Sequence, residues 1–213
     1  MTQRTVEASL EVGASSWLTT LPIKKYGFLL DKRSFWDSLY IRYNLPLKRL
    51  PTTCVCGAPF KLEHALSCCK GGFISIRHND VRDFTAELLS ECCKDVSIEP
   101  ILQELTGEAL PPSTIQTNEA RVDVAARGFW TKGQVAYFDV KVFNPTAKVH
   151  MAKSLTAAHR ANEQTKKRSY NQRINHVDQG TMTPLVFTCF GGMSRECTTF
   201  YNRLAEMIAE KRN

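Results

Sequence analysis

Hydrophobic positions fall into periods that outline a single succession of elements. Val81, Phe84, Leu88 and Cys92 recur at intervals of three and four residues, the spacing of a helix with one buried face, and predict a helix over 80–94. Asn79 stands ahead of it as a cap, with Asp80 and Asp83 where the helix dipole favours acids. Val96 to Leu102 reads as a short strand, placed at an edge or ended by Pro100. Residues 103–119 are polar and carry Gly107 and Pro111-Pro112, so a loop is expected. Arg121 to Ala126 alternates as a strand, a turn follows over 127–133, and Gln134 to Phe143 is the strongest strand pattern, stopped by Asn144-Pro145. A long basic helix from about Lys153 to Arg173, an apolar strand Pro184 to Phe190, a Gly191-Gly192 turn and a helix lined by Phe200, Leu204, Met207 and Ile208 complete the chain.

The expected architecture over 77–213 is therefore α/β (α+β), a central mixed sheet flanked by helices in the order α-β-β-β-α-β-α. Residues 1–50 read as a helical linker or extension. Within them Phe35, Leu39 and Arg42-Tyr43 predict a short helix capped by Asp31 or Ser34. Residues 51–76 form a third segment with chemistry of its own.

Composition narrows the class. The chain has 213 residues, 43% hydrophobic and 23% charged, ordinary for a globular protein, and no run approaches the roughly 18 apolar residues of a membrane span. The N-terminus lacks an apolar targeting core, so an intracellular protein without a membrane partner is expected. A net charge of +7 favours a polyanion, with basic residues gathered at Lys24-Lys25, Lys48-Arg49, Arg77-His78 and Lys166-Lys167-Arg168. A solvated face is the plain alternative for any one of these clusters.

Eight cysteines without a targeting segment suggest reduced, partly metal-bound thiols. Cys54, Cys56, His64 and Cys68 lie within fifteen residues, with Gly57 allowing a turn after the first pair, and suit a structural Zn2+ in a CCHC-type knuckle. Cys69 is an alternative to Cys68, and Cys-x-Cys is tighter than the usual Cys-x-x-Cys spacing. Buried free thiols beside a surface histidine are the competing reading.

A second constellation sits on the strands. Asp139 and Lys141 are two apart and share a face, and Asp123 comes from the neighbouring strand. Two carboxylates about 4 Å apart repel by roughly 4 kcal/mol at an effective dielectric near 20, a cost that a hard cation such as Mg2+ or Mn2+ reverses. Glu87 on the preceding helix and Glu99 on the first strand compete as a further acid. Gln164 is a candidate phosphate contact. Arg77, His78, Asn79 and Arg82 are expected to form a phosphate seat at a helix N-terminus, and Gly191-Gly192 could approach phosphate or simply turn the chain.

Asp123 and Asp139-Val140-Lys141, in this order of elements, resemble the PD-(D/E)XK or restriction-like endonuclease superfamily over about residues 77–190; Val122 stands where the motif has Pro. The resemblance implies that Asp123 and Asp139 hold Mg2+ or Mn2+ and that Lys141 orients or deprotonates the attacking water. It also implies a restriction-endonuclease-like core. The knuckle, Arg77-His78-Asn79 and the nuclease motif together resemble the C-terminal region of reverse transcriptases from early-branching non-LTR retrotransposons, which nicks target DNA. Polymerase acids are absent from this chain. The expectation is a DNA endonuclease domain with DNA, and element RNA, as partners, Gln164, Lys166, Lys167 and Arg168 joining the arginine and histidine cluster on DNA. The rival is a DNA-binding or protein-interaction module on the same scaffold that does not cut.

Overall fold

A computed structural model describes residues 3–212, apart from the side chain of Tyr26. The chain divides into two compact units. One comprises the described residues of Met1–Ile74 with Phe143–Ala158 and Phe187–Met193; the other comprises Ser75–Val142, His159–Val186 and the described residues of Ser194–Asn213.

The first unit is made of short helices and loops. Its elements are α1 (Gln3–Ser9), α2 (Ser16–Thr19), α3 (Lys32–Arg42) and α4 (Leu62–Ala65). Asp31 caps α3 as expected, its carboxylate accepting from the amides of Arg33 at 2.8 Å and Ser34 at 3.1 Å. Buried Arg4 on α1 donates to the carbonyls of Met151 and Lys153, which fastens the N-terminal helix to the 143–158 segment of the same unit. The Gly191-Gly192 turn is filled rather than open: a Cβ at Gly192 would run into the Glu11 carboxylate, and the amide of Gly192 donates to Thr188 Oγ1 at 2.9 Å. No room is left there for a phosphate.

The second unit carries the sheet. α5 (Phe73–Cys92) leads into β1 (Lys94–Ile98), β2 (Val124–Arg127) and β3 (Val135–Phe143). After α6 (Lys148–Met151) in the first unit, α7 (Leu155–His176) returns to β4 (Thr181–Thr188), and α8 (Arg195–Arg212) closes the chain. The strands form a four-stranded mixed sheet in the order β1-β2-β3-β4, flanked by helices. β1 pairs antiparallel with β2, and β2 with β3 in the register Val124↔Phe138 to Arg127↔Val135. Phe129, Phe138 and Phe200 stack with centroids 4.7–5.3 Å apart and join the sheet to α8. Ile174 on α7 packs in a second cluster with Leu102, Ala120, Val122 and Met182, against which Tyr137 and Tyr170 lie.

Four strand and helix boundaries differ from expectation: β2 begins at Val124 rather than Arg121, so Asp123 stands just before it, β4 spans Thr181–Thr188 rather than 184–190, and α5 and β1 also shift. α5 begins at Phe73, just after Gly72 at φ 74°, so Asn79 is interior rather than a cap and the amides around Arg77 and His78 belong to the helix ladder. That removes the helix N-terminus from the expected phosphate seat. The buried face of α5 runs through Thr85, Ala86 and Leu89, while Phe84 is half exposed. β1 is likewise displaced toward the N-terminus, ending at Ile98 before Pro100, with an isolated bridge Ile101↔Arg121 beyond it.

Arg173 holds the long loop of this unit. It is fully buried and donates to the carbonyls of Ile115 (3.0 Å), Thr117 (2.8 Å) and Gln103 (2.8 Å), three acceptors that lack regular partners because residues 103–119 form no strand. Losing a charged donor to several buried carbonyls costs on the order of 3 kcal/mol or more. Arg173→Ala is expected to lower unfolding stability by about that amount in urea titrations, and Arg173→Lys to restore less than half, since an ammonium cannot span the fork.

Candidate metal centre and carboxylate site

In the first unit, Cys54 and Cys56 sit on a tight turn closed by Gly57 N–H to Cys54 O and Cys54 N–H to Ala58 O, both 2.8 Å. Gly57 adopts φ 87°, a backbone state that a side chain disfavours. His64 comes from α4 and Cys68 from the chain just after it. Asn144 steadies that stretch by donating to Ser67 Oγ at 3.0 Å.

The four side chains converge, with ligand atoms all within 4.8 Å of one another. Cys54 Sγ and Cys68 Sγ are 3.7 Å apart, and Cys56 Sγ and His64 Nε2 are 3.2 Å apart. Zn–S bonds of about 2.3 Å in a tetrahedron place two sulfurs about 3.8 Å apart. Donor types and spacing therefore fit a structural zinc ion. The amide of Lys70, with that of Gly71, outweighs desolvation and lowers the Cys68 thiol to about 7, so a large share is thiolate at neutral pH. Cys69 is exposed and outside the group, which resolves the alternative in favour of Cys68.

The second unit holds the acids. The β2–β3 register, carried one residue beyond Val124↔Phe138, sets Asp123 opposite Asp139. Asp123 is pinned from both sides: Oδ1 lies 2.9 Å from His78 Nε2, and Oδ2 accepts from the amide of Val140 at 2.6 Å. Asp139 is buried on the central strand, and Lys166 Nζ from α7 lies 2.5 Å from its Oδ2. Desolvation raises the Asp139 carboxyl to about 6, opposed by Lys166 and reinforced by the charge of Asp123. Burial together with both carboxylates pushes Tyr170 up to about 12, so its hydroxyl stays protonated.

Lys141 is exposed on the strand face of Asp139 and lines a cleft of about 310 Å³ with Lys166, Asn162, Thr165, Ser169 and Tyr170. The three cations of 166–168 do not act together, because a helix turns 100° per residue. Lys166 faces Asp139, Lys167 pairs with Glu196 at 2.5 Å, and Arg168 is exposed with its Nε on the carbonyl of Gln164. Gln164 is exposed and lies about 160° around α7 from Lys166, away from the cleft.

On α5 the same arithmetic separates the candidate acids. Arg82, about 40° from His78 around the helix, pairs with Glu99 and with Asp83. Glu87 is half a turn from His78, exposed and pointing elsewhere. Of the two competing acids, Glu99 is the one tied through Arg82 to the neighbourhood of Asp123. Arg77 is half-buried and Asn79 exposed in the second turn of α5. Reading the sequence missed the partners of the acids, His78 for Asp123 and Lys166 for Asp139. The four-residue spacing of Asn162, Lys166, Tyr170 and Ile174 is the signal that could have found the second.

No protein-family model matches the chain, and no curated protein matches it.

Elemental analysis is expected to find one zinc per chain, lost in Cys56→Ser and kept in Cys69→Ser; zinc retained by Cys56→Ser would contradict the ligand set. The raised Asp139 value has a definite sign. Below about pH 4 the carboxyl is protonated in folded and unfolded chains alike; between 3.8 and about 6 the unfolded chain ionises first, so this group's contribution to stability is lost as pH rises through 6. The gap corresponds to about 3 kcal/mol at most. Asp139→Asn should therefore be more stable than the parent at pH 7 by about 1–3 kcal/mol, with the difference vanishing near pH 4, measured by chemical denaturation across that range.

Proposed function

We propose that the chain is a metal-dependent DNA endonuclease domain with a restriction-endonuclease-like core, of the PD-(D/E)XK kind, derived from a retrotransposon and acting in the nucleus to nick target DNA. The observation that carries the reading is the cross-strand pair Asp123 and Asp139, with Asp139 buried and already balanced by a lysine ammonium. A buried carboxylate held against a neighbouring acid is electrostatically expensive, and functional sites are where such cost is concentrated. The acids fit a hard divalent cation. Both offer carboxylate oxygens, the hard donors that Mg2+ or Mn2+ prefers, and Lys166, an internal cation on one of them, also lines the cleft that holds Lys141.

Bound Mg2+ or Mn2+ supplies neutralisation of the charge that grows on the phosphate and a more acidic water. The protein's own groups do the rest. His78 and the Val140 amide fix the rotamer of Asp123, so its oxygens are positioned before substrate arrives. Lys141 and Lys166, lining one cleft, hold the scissile phosphate by charge, and the exposed Lys141 ammonium orients the attacking water. Arg82, paired with both Glu99 and Asp83, is balanced by these acids and adds no positive potential toward the DNA backbone.

Nicking of supercoiled plasmid in Mn2+ or Mg2+ tests this. Asp123→Asn and Asp139→Asn should each lower the rate by at least about 100-fold, and Lys141→Ala and Lys166→Ala together by a similar factor. Because Asp139→Asn is expected to fold at least as well as the parent, its loss of activity separates chemistry from unfolding. Metal-independent nicking, or undiminished nicking by Asp139→Asn, would contradict the proposal. Plasmid binding without any cleavage would favour the non-cutting module.

A further inference from the structure

Residues 17–43 of the first unit present aromatic and aliphatic side chains to solvent beside cations. Trp36 is 51% exposed, Leu29 51%, Leu30 50% and Phe28 48%. Trp17, Phe28, Leu30 and Phe35 line a groove of about 490 Å³. The rings meet edge to face, Trp17 against Phe35 at 5.7 Å and Phe35 against Trp36 at 6.4 Å, so they do not stack on each other, and half of Trp36 stays exposed. A contiguous apolar surface of this kind is uncommon on a protein that has no use for it.

The charges around it choose the partner. Between residues 21 and 40 stand Lys24, Lys25, Lys32 and Arg33 against Asp31 and Asp37. Asp31 is spent on capping α3, accepting from Ser34 Oγ at 2.5 Å besides two amides, and Asp37 faces Arg33 at 3.8 Å. The surface is thus aromatic and, with four cations against two engaged acids, carries a net charge of +2 over these residues. Protein interfaces deplete lysine from their apolar centres. A strand of nucleic acid asks for the opposite: flat rings on which successive bases stack, interleaved with ammonium groups along the phosphates.

We propose that this surface binds single-stranded nucleic acid, bases stacking on Trp36 and the ring-lined groove and phosphates meeting Lys24 and Lys32. The site uses none of the carboxylates and does not depend on the endonuclease reading. Duplex DNA keeps its bases stacked inside and cannot offer them to the rings, so a preference for single strands is intrinsic to the mechanism.

The test is fluorescence anisotropy with the full chain, without added magnesium or manganese, using labelled oligo(dT) of about 20 nucleotides and a duplex of the same length. The parent should prefer the single strand by at least about tenfold, and binding should quench tryptophan emission. Trp36→Ala, and separately Lys24→Glu with Lys32→Glu, should each weaken oligo(dT) binding about tenfold or more while keeping the parent's zinc content and far-ultraviolet spectrum. Unchanged affinity in either folded variant, or equal affinity for the duplex, overturns the proposal. So does equal competition by poly-glutamate, which would point to an acidic protein partner, or a sedimenting dimer that Trp36→Ala dissolves without loss of oligo(dT) binding. Should Trp36→Ala not fold, Trp36→Leu, which keeps apolar bulk without a base-stacking face, gives the same discrimination.

Discussion

The burial of one carboxylate on the central strand governs the second unit. Asp139 sits between two hydrophobic neighbours, Phe138 and Val140, whose side chains the strand's alternation sends to the opposite face. That places an acid where water is scarce, and the structure answers with a lysine from α7 at 2.5 Å and an ordered neighbour, Asp123, held by His78 and a backbone amide. Desolvation outweighs the lysine and holds the carboxyl up, near 6. An ion pair whose components are this poorly solvated contributes little to stability, and its retention makes physical sense where the pair serves a ligand.

The first unit achieves order by different means. Its helices are short, and much of its apolar surface between residues 17 and 43 stays exposed, so packing alone provides little. Convergence of three thiol sulfurs and one imidazole on a common centre offers what packing does not, since metal binding at such a site is itself folding free energy. Hydrogen bonds from Arg4 and Asn144 to backbone and hydroxyl groups spread that order through the unit.

Much of this was legible before any coordinates. The strands after residue 120, the long basic helix and the last helix follow from period and punctuation, and α3 with its Asp31 cap follows from a local rule that tertiary context leaves intact. The ligand quartet was readable because soft donors close in sequence have few other arrangements. Helix α5 was misjudged at its start, because Asn79 imitates a cap while the actual break is the positive-φ Gly72 six residues before His78. The partners of the acids were hidden for a geometric reason. His78 is 45 positions from Asp123 and Lys166 lies 27 beyond Asp139, distances over which no local pattern speaks, and a run of three cations looks like one patch until a helix spreads it over three directions.

The central proposal is that Asp139, buried and raised toward neutrality, takes part in holding a divalent cation. Carbon-detected nuclear magnetic resonance of its side-chain carboxyl, titrated with pH in the presence and absence of Mg2+, tests it directly. The account predicts a midpoint near 6 without the ion and below about 4 with it. A midpoint at the ordinary 3.8 in both conditions, or one near 6 that Mg2+ leaves unmoved, would contradict it.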